Sequence, residues 1–152
     1  MRTFALLLLT ITLLSAYQKG DRLDQDIIQK LQLKKEKIYI VDFFASWCKS
    51  CKREMPDIAK LDRSLPHAKV EIIGIDVDED TACAKRFQQS LKKAGNLPFR
   101  VINDPKGEII GRFDPIGTPA IYIIKNHTVM EMEIGAKNHI DTLIKQHIEG
   151  LQ

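Results

Sequence analysis

The sequence predicts an α/β sandwich built on a mixed central sheet. Two buried strand patterns, near residues 38–44 and 70–75, are separated by a helical pattern, as in a parallel pair joined by a crossover helix. A third apolar strand at 120–124 is followed by a turn and the segment 128–134, which indicates an antiparallel hairpin. A last helical pattern, from about residue 138 to 148, completes this order.

Five segments precede or connect these strands. A lead-in helix is expected over 18–37 because its apolar residues recur at helical spacing. Helices are predicted at 49–65 and from about 81 to 94, the latter capped by Asp80 or Thr81. A short strand at 99–102 and a short element at 108–113 then lead into the hairpin.

The bulk composition describes one ordinary globular domain. The chain has 152 residues, of which 44% are hydrophobic and 28% are charged, enough for a single core. The net charge of +3 is too small to predict nucleic-acid binding. The three cysteines, Cys48, Cys51 and Cys83, are too few for a disulfide-rich scaffold, whereas a close pair with one left over fits a catalytic dithiol.

The first 16 residues form a separate segment. Arg2 precedes an apolar run from Phe4 to Leu14, and the small residues Ser15 and Ala16 follow it. This order resembles a secretory signal peptide, and the apolar run is short for a membrane span. We expect 1–16 to be a signal peptide or, alternatively, an uncleaved anchor. The domain is then 17–152, with its core at 38–148, and it is exported.

The stretch from Trp47 to Cys51 carries the chemistry. It follows a strand and precedes a helix, which places the first sulfur at a helix N-terminus, where the dipole favours negative charge. Such surroundings lower a thiol pKa from about 8.5 to about 3.5–7.5. Lys49 adds a positive charge beside this thiolate. The alternatives are an inert structural disulfide and a zinc half-site, but zinc requires four ligands and the sequence contains no second cysteine pair or histidine cluster.

The residues of this stretch resemble thioredoxin. The resemblance is carried by residues 41–52, by Pro56 five residues after Cys51, and by residues 117–119. It covers residues 38–148. The leader and the segment 97–108 are similar to the exported TlpA and ResA branch of the superfamily. The resemblance implies a thioredoxin fold, which is a three-layer α/β/α sandwich with a mixed central sheet, carrying a TlpA/ResA-type strand-helix insert.

The resemblance also assigns roles to five residues. Cys48 is the exposed attacking thiolate, and Cys51 then releases the reduced substrate and closes the redox disulfide. Thr118 and Pro119 form a cis-proline pair that exposes backbone for an extended substrate. Trp47 contributes to the same substrate-binding surface, with a purely structural role as its alternative.

Two acids compete for the proton-transfer role. Asp42 is the only charged residue in the strand pattern 38–44, and burial there raises the pKa of a carboxyl group. In thioredoxin the matching acid exchanges a proton with the second cysteine. Glu79 follows the next strand and resembles an acid that tunes the dithiol in ResA-type proteins. Because this chain has both acids, the choice between them stays open.

The expected function is that of a thiol–disulfide oxidoreductase that needs no cofactor and no metal, because the dithiol carries the two electrons. We expect an exported, periplasmic monomer that reduces disulfides in other exported proteins, with the heme-site cysteines of apocytochrome c as one candidate. A membrane thiol carrier would supply the electrons. An oxidase or isomerase of the same fold is the first alternative, and a metal-handling or protein-binding module that uses the cysteine pair is the second. Cys83 is expected to be a small buried apolar residue, and the four histidines receive no role.

Overall fold

A computed structural model describes residues 16–151. Apart from Ala16, the predicted leader lies outside the described residues. None of the helices within 16–151 combines the length and the apolar character that crossing a membrane requires.

The described residues form five helices and five strands. The helices are α1 Gln25–Lys30, α2 Lys49–Ser64, α3 Thr81–Lys93, α4 Ile110–Phe113 and α5 Ile140–Glu149. The strands are β1 Ile38–Phe44, β2 Val70–Asp76, β3 Arg100–Asn103, β4 Ala120–Lys125 and β5 Thr128–Ile134. Asp80 caps α3 by accepting hydrogen bonds from the backbone of Ala82 and Cys83, as expected.

The five strands form one mixed sheet in the order β3-β2-β1-β4-β5. The central strand β1 pairs in parallel with β2 and antiparallel with β4. All seven residues of β1 are buried, because helices cover both faces of the sheet. This explains why its apolar residues do not alternate with polar ones.

The two faces of β1 pack against different helices. Successive side chains of a strand point to opposite faces, and Ile40 and Phe44 pack with residues of α2, α3 and α5. Val41 and Phe43 pack on the other face with residues of α1 and α4. The prediction of a three-layer thioredoxin-type sandwich is therefore confirmed.

The lead-in helix is much shorter than expected. Only Gln25–Lys30 is helical, so the prediction of a helix over 18–37 is wrong at both ends. Before the helix, the chain pairs with the β4–β5 hairpin, since the backbone N–H of Leu23 donates to the carbonyl oxygen of His127 at 2.8 Å. After the helix, Gln32 adopts a left-handed conformation with φ of 53°, which ends the helical path.

The segment that resembles the strand-helix insert contains β3, and the short helix α4 follows it. β3 extends the parallel part of the sheet beside β2. Its correspondence to the insert of the TlpA and ResA branch stays a prediction.

Candidate active site

The two cysteines lie at the junction between β1 and α2. β1 ends at Phe44, and Cys48 is the N-cap residue of α2, with extended backbone angles and a sulfur that accepts a hydrogen bond from the backbone N–H of Cys51 at 3.1 Å. The two residues form a disulfide, and their Cα atoms are 5.3 Å apart. The N–H of Cys51 therefore points at the Cys48 sulfur, and this donor, together with the helix dipole, would stabilise a thiolate there after reduction.

Both cysteines are less accessible than expected. Cys48 is 5% exposed and Cys51 is 2% exposed, so Cys48 is the more accessible of the two but not an open surface residue. The expectation of an exposed Cys48 is wrong for the disulfide form, because both residues belong to the core cluster on the α2 face of the sheet.

The loop before β4 supplies the neighbouring backbone. The Thr118–Pro119 peptide bond is cis, as the resemblance implied. β1 and β4 are antiparallel with Phe43 opposite Ala120. The loop before β4 therefore lies at the same end of the strands as the start of α2. Trp47 adds a side chain that is 65% exposed.

Asp42 is buried on the α2 face of the sheet. Its side chain lies on the same face as those of Ile40 and Phe44, which pack with Cys51. The residue is 3% exposed, and burial, with a smaller contribution from the charge of Glu54, raises the pKa of its carboxyl group to about 7. A carboxyl group with this pKa can accept or return a proton near neutral pH.

Glu54 is a second buried acid, which was not predicted from the sequence. It is 7% exposed, and one carboxylate oxygen accepts a hydrogen bond from the backbone N–H of Lys137 at 2.6 Å. Burial is the main reason why the pKa of Glu54 is raised. Its signal in the sequence was its spacing, because Cys51, Glu54, Met55 and Ile58 share one helical face.

Glu79 does not join Asp42 and Glu54 among the buried acids of the site. Its side chain is exposed and makes none of the hydrogen bonds or ion pairs found within residues 16–151. The adjacent Asp78 instead contacts the loop between β1 and α2, which ends at Cys48 and is called the active-site loop below. Its carboxylate accepts hydrogen bonds from the backbone N–H and the hydroxyl of Ser46, each at 2.9 Å.

Cys83 is partly exposed, so the expectation of a buried apolar role is wrong. Its thiol lies 3.3 Å from a carboxylate oxygen of Asp80 and 3.0 Å from a guanidinium nitrogen of Arg86. These polar partners hold it at the surface of the first turn of α3. The hydrogen bond to Asp80 is the main cause of a raised pKa, which disfavours the reactive thiolate.

The fold and the position of the dithiol together define a protein of the thioredoxin fold. Residues 16–132 match the AhpC/TSA family, and the chain belongs to this family.

Curated relatives align with a large part of this chain. The thiol-disulfide oxidoreductase ResA of Bacillus thuringiensis subsp. konkukian is 34% identical over 108 residues, which are 70% of this chain and 60% of that protein. ResA of Bacillus cereus strain ZK / E33L is 33% identical over 125 residues, which are 80% of this chain and 66% of the relative. The chain therefore spans about two thirds or less of the length of these relatives.

Solved structures support the fold. A thiol:disulfide interchange protein DsbE from Chlorobium tepidum superposes with a TM-score of 0.72 at 22% identity, covering 89% of this chain and 98% of that one. StoA from Bacillus subtilis gives a TM-score of 0.65 at 21% identity, covering 76% and 84% of the two chains. At these identities the likeness concerns the fold.

Proposed function

We propose that the protein is an exported thiol–disulfide oxidoreductase that reduces disulfides in other exported proteins. The observation that carries this proposal is the position of Cys48, whose sulfur caps α2 and pairs with Cys51 one turn away. Helix N-termini stabilise thiolates, and the thiolate is the reactive form of cysteine. The relatives described as thiol-disulfide oxidoreductases support the same chemistry.

The reaction is two successive thiol–disulfide exchanges. The Cys48 thiolate attacks one sulfur of a substrate disulfide, which forms a mixed disulfide and releases the other substrate sulfur as a thiolate. The Cys51 thiolate then attacks the Cys48 sulfur, which closes the Cys48–Cys51 disulfide and releases the second substrate sulfur. Two electrons pass from the protein to the substrate, so no bound cofactor is required.

Asp42 is the group that we assign to the proton of Cys51. Cys51 must lose its proton before the second exchange, and a carboxylate with a pKa of about 7 on the same face of the sheet is a suitable acceptor. Glu54 contributes through its negative charge, which raises the pKa of Asp42. The exposed Glu79 remains the competing assignment from the sequence.

The reducing direction and the partners follow from resemblance. The acid at Asp42 is shared with thioredoxin, and the segment 97–108 resembles the exported reductant branch. Oxidised cysteine pairs of exported proteins are therefore the proposed substrates, with the heme-site cysteines of apocytochrome c as one candidate. A membrane thiol carrier would return two electrons to the Cys48–Cys51 disulfide. The signal-like residues 1–16 support a periplasmic location, with the protein either free or anchored through that segment.

Trapping the mixed disulfide tests the proposed order of attack. In a Cys83→Ala background, Cys51→Ala should accumulate covalent adducts with disulfide substrates, because the resolving thiol is absent. Cys48→Ala in the same background should form none, and both should be compared by non-reducing electrophoresis. Adducts at Cys51 rather than Cys48 would reverse the assignment.

The redox state in cells tests the direction. Acid quenching followed by thiol alkylation should find the Cys48–Cys51 pair mostly reduced in living cells. A pair that is mostly oxidised would assign the protein to the oxidases of the same fold.

A further inference from the structure

Two large hydrophobic side chains are exposed among residues 16–151. Trp47 is 65% exposed and Ile116 is 98% exposed. A single exposed apolar residue is ordinary on a protein surface. These two are unusual in position, because one immediately precedes Cys48 and the other lies three residues before Pro119.

The strand register brings the two positions to the same end of the inner strands β1 and β4. Phe43 on β1 is opposite Ala120 on β4, and the strands are antiparallel. The residues that follow Phe43 and those that precede Ala120 therefore leave the sheet side by side. Trp47 and Ile116 belong to these two adjacent loops, with the disulfide at the end of the first.

The backbone beside Ile116 is free to pair. Within residues 16–151, no backbone hydrogen bond uses the N–H or C=O groups of Ile116, Gly117 or Thr118. Pro115 and Pro119 flank these residues and restrict the backbone, which lowers the entropy lost when a partner binds. Unpaired backbone beside a sheet is a site where an extended peptide adds as a strand.

We propose that Ile116 is a specificity-determining residue that selects substrates with an apolar side chain beside the target cysteine. The inference rests on the proposed function. The occupant is an extended segment of an oxidised partner protein, whose backbone pairs with Gly117 and Thr118. In this arrangement its target cysteine lies against Cys48, and the neighbouring apolar side chain is covered by Ile116 and Trp47. Ile116 thereby loses the full water contact that it has in the free protein.

Matched peptide disulfides test this role. Two peptides should be identical except for leucine or serine beside the target cysteine, and the second-order rate constant for the reduction of each peptide by the pre-reduced protein should be measured. We expect the native protein to prefer the leucine peptide by about tenfold, as is usual when one apolar contact discriminates between substrates. Ile116→Ser should abolish the preference, and Ile116→Val should retain most of it.

Hydroxyethyl disulfide is the control substrate, because it has no side chain to contact Ile116. Ile116→Ser should reduce it at the native rate, and the fully exposed position predicts an unchanged urea midpoint. A leucine preference that survives in Ile116→Ser, or one that is absent from the native protein while both peptides are reduced, overturns the specificity role alone. If the native protein reduces neither the peptides nor hydroxyethyl disulfide, the proposed function fails and the inference fails with it.

Discussion

Asp78 and Ser46 join the loop after β2 to the loop that carries the dithiol. The Asp78 carboxylate accepts both the backbone N–H and the hydroxyl of Ser46, and Asp78 is only 4% exposed. Asp76 holds Asp78 in turn, because a carboxylate oxygen of Asp76 accepts the backbone N–H of Asp78 at 3.0 Å. Gln88 on α3 donates to the other oxygen of Asp76 at 2.7 Å. The active-site loop is therefore tied to β2 and α3 through a continuous chain of hydrogen bonds.

This arrangement predicts a measurable coupling between the two residues. Asp78→Ala should lower the free energy of unfolding by about 1–3 kcal/mol, because it leaves the Ser46 donors unpaired in a partly buried loop. Ser46→Ala should cost less, since it removes only the hydroxyl. Urea unfolding of both single variants and the double variant should give a coupling energy above about 0.5 kcal/mol. Strictly additive effects would show that the two residues do not interact in solution.

Asp42 should make stability depend on pH. Its pKa of about 7 in the folded protein exceeds the ordinary value of 3.8, so the folded state binds the proton more tightly than the unfolded state. The contribution of this proton binding to the free energy of unfolding is fully present below about pH 4 and is lost as the pH rises through 7. Because each pKa unit corresponds to about 1.36 kcal/mol, Asp42→Asn should gain on the order of 4 kcal/mol relative to native at pH 8.

The unfolding experiment should use the disulfide form of the protein and a control variant at an exposed acid. Urea midpoints of the native protein and of Asp42→Asn should converge near pH 4 and separate by pH 8. Glu36→Gln, at an exposed acid, should follow the native protein throughout. A constant difference between Asp42→Asn and native across this range would contradict a raised pKa at Asp42.

Asp42→Asn should also slow substrate reduction. Near pH 7 we expect a loss of roughly ten- to a hundredfold, because Cys51 loses its proton acceptor. The native rate should show an inflection near pH 7 that is absent from Asp42→Asn. Glu79→Gln should keep the inflection, since this side chain is exposed. If Glu79→Gln loses the inflection and Asp42→Asn keeps it, the proton role belongs to Glu79.

Glu54→Gln should lower the pKa of Asp42. The negative charge of Glu54 contributes to raising that pKa, while the glutamine oxygen can still accept the hydrogen bond from Lys137. Carboxyl resonances of Asp42, followed by NMR against pH, should titrate at a lower pH in this variant. An unchanged or higher titration point would rule out electrostatic coupling between the two acids.

The sequence predicted the fold and the dithiol better than the supporting acids. Continuous apolar strands and the Cys-x-x-Cys stretch are local signals, so β1, α2 and their junction were expected in place. Glu54 was missed because its role depends on α2 packing against the sheet. Glu79 was predicted from its resemblance to a ResA-type acid, whereas the contact of Asp78 with Ser46 depends on the direction of the backbone after β2, which only the tertiary structure shows.

Gly74 on β2 predicts a packing effect that is independent of the redox chemistry. A Cβ atom there would lie 2.7 Å from a ring carbon of Phe44 and 3.1 Å from one of Phe99. Gly74→Ala should therefore cost about 1–3 kcal/mol of stability, as overpacking typically does. Gly111→Ala is the matched control, since a Cβ there meets no atom within 4 Å. Equal thermal unfolding temperatures for the two variants would show that the core yields around Gly74.

The proposed mechanism requires that the start of α2 stabilises a thiolate at Cys48. Its most direct test is the pH dependence of alkylation of the reduced protein, with Cys83→Ala as the background so that only Cys48 and Cys51 react. We expect Cys48 to titrate well below the value of about 8.5 for a free cysteine, with Cys51 titrating later. If both thiols titrate at or above that value, the helix terminus does not activate Cys48, and the proposed mechanism is wrong.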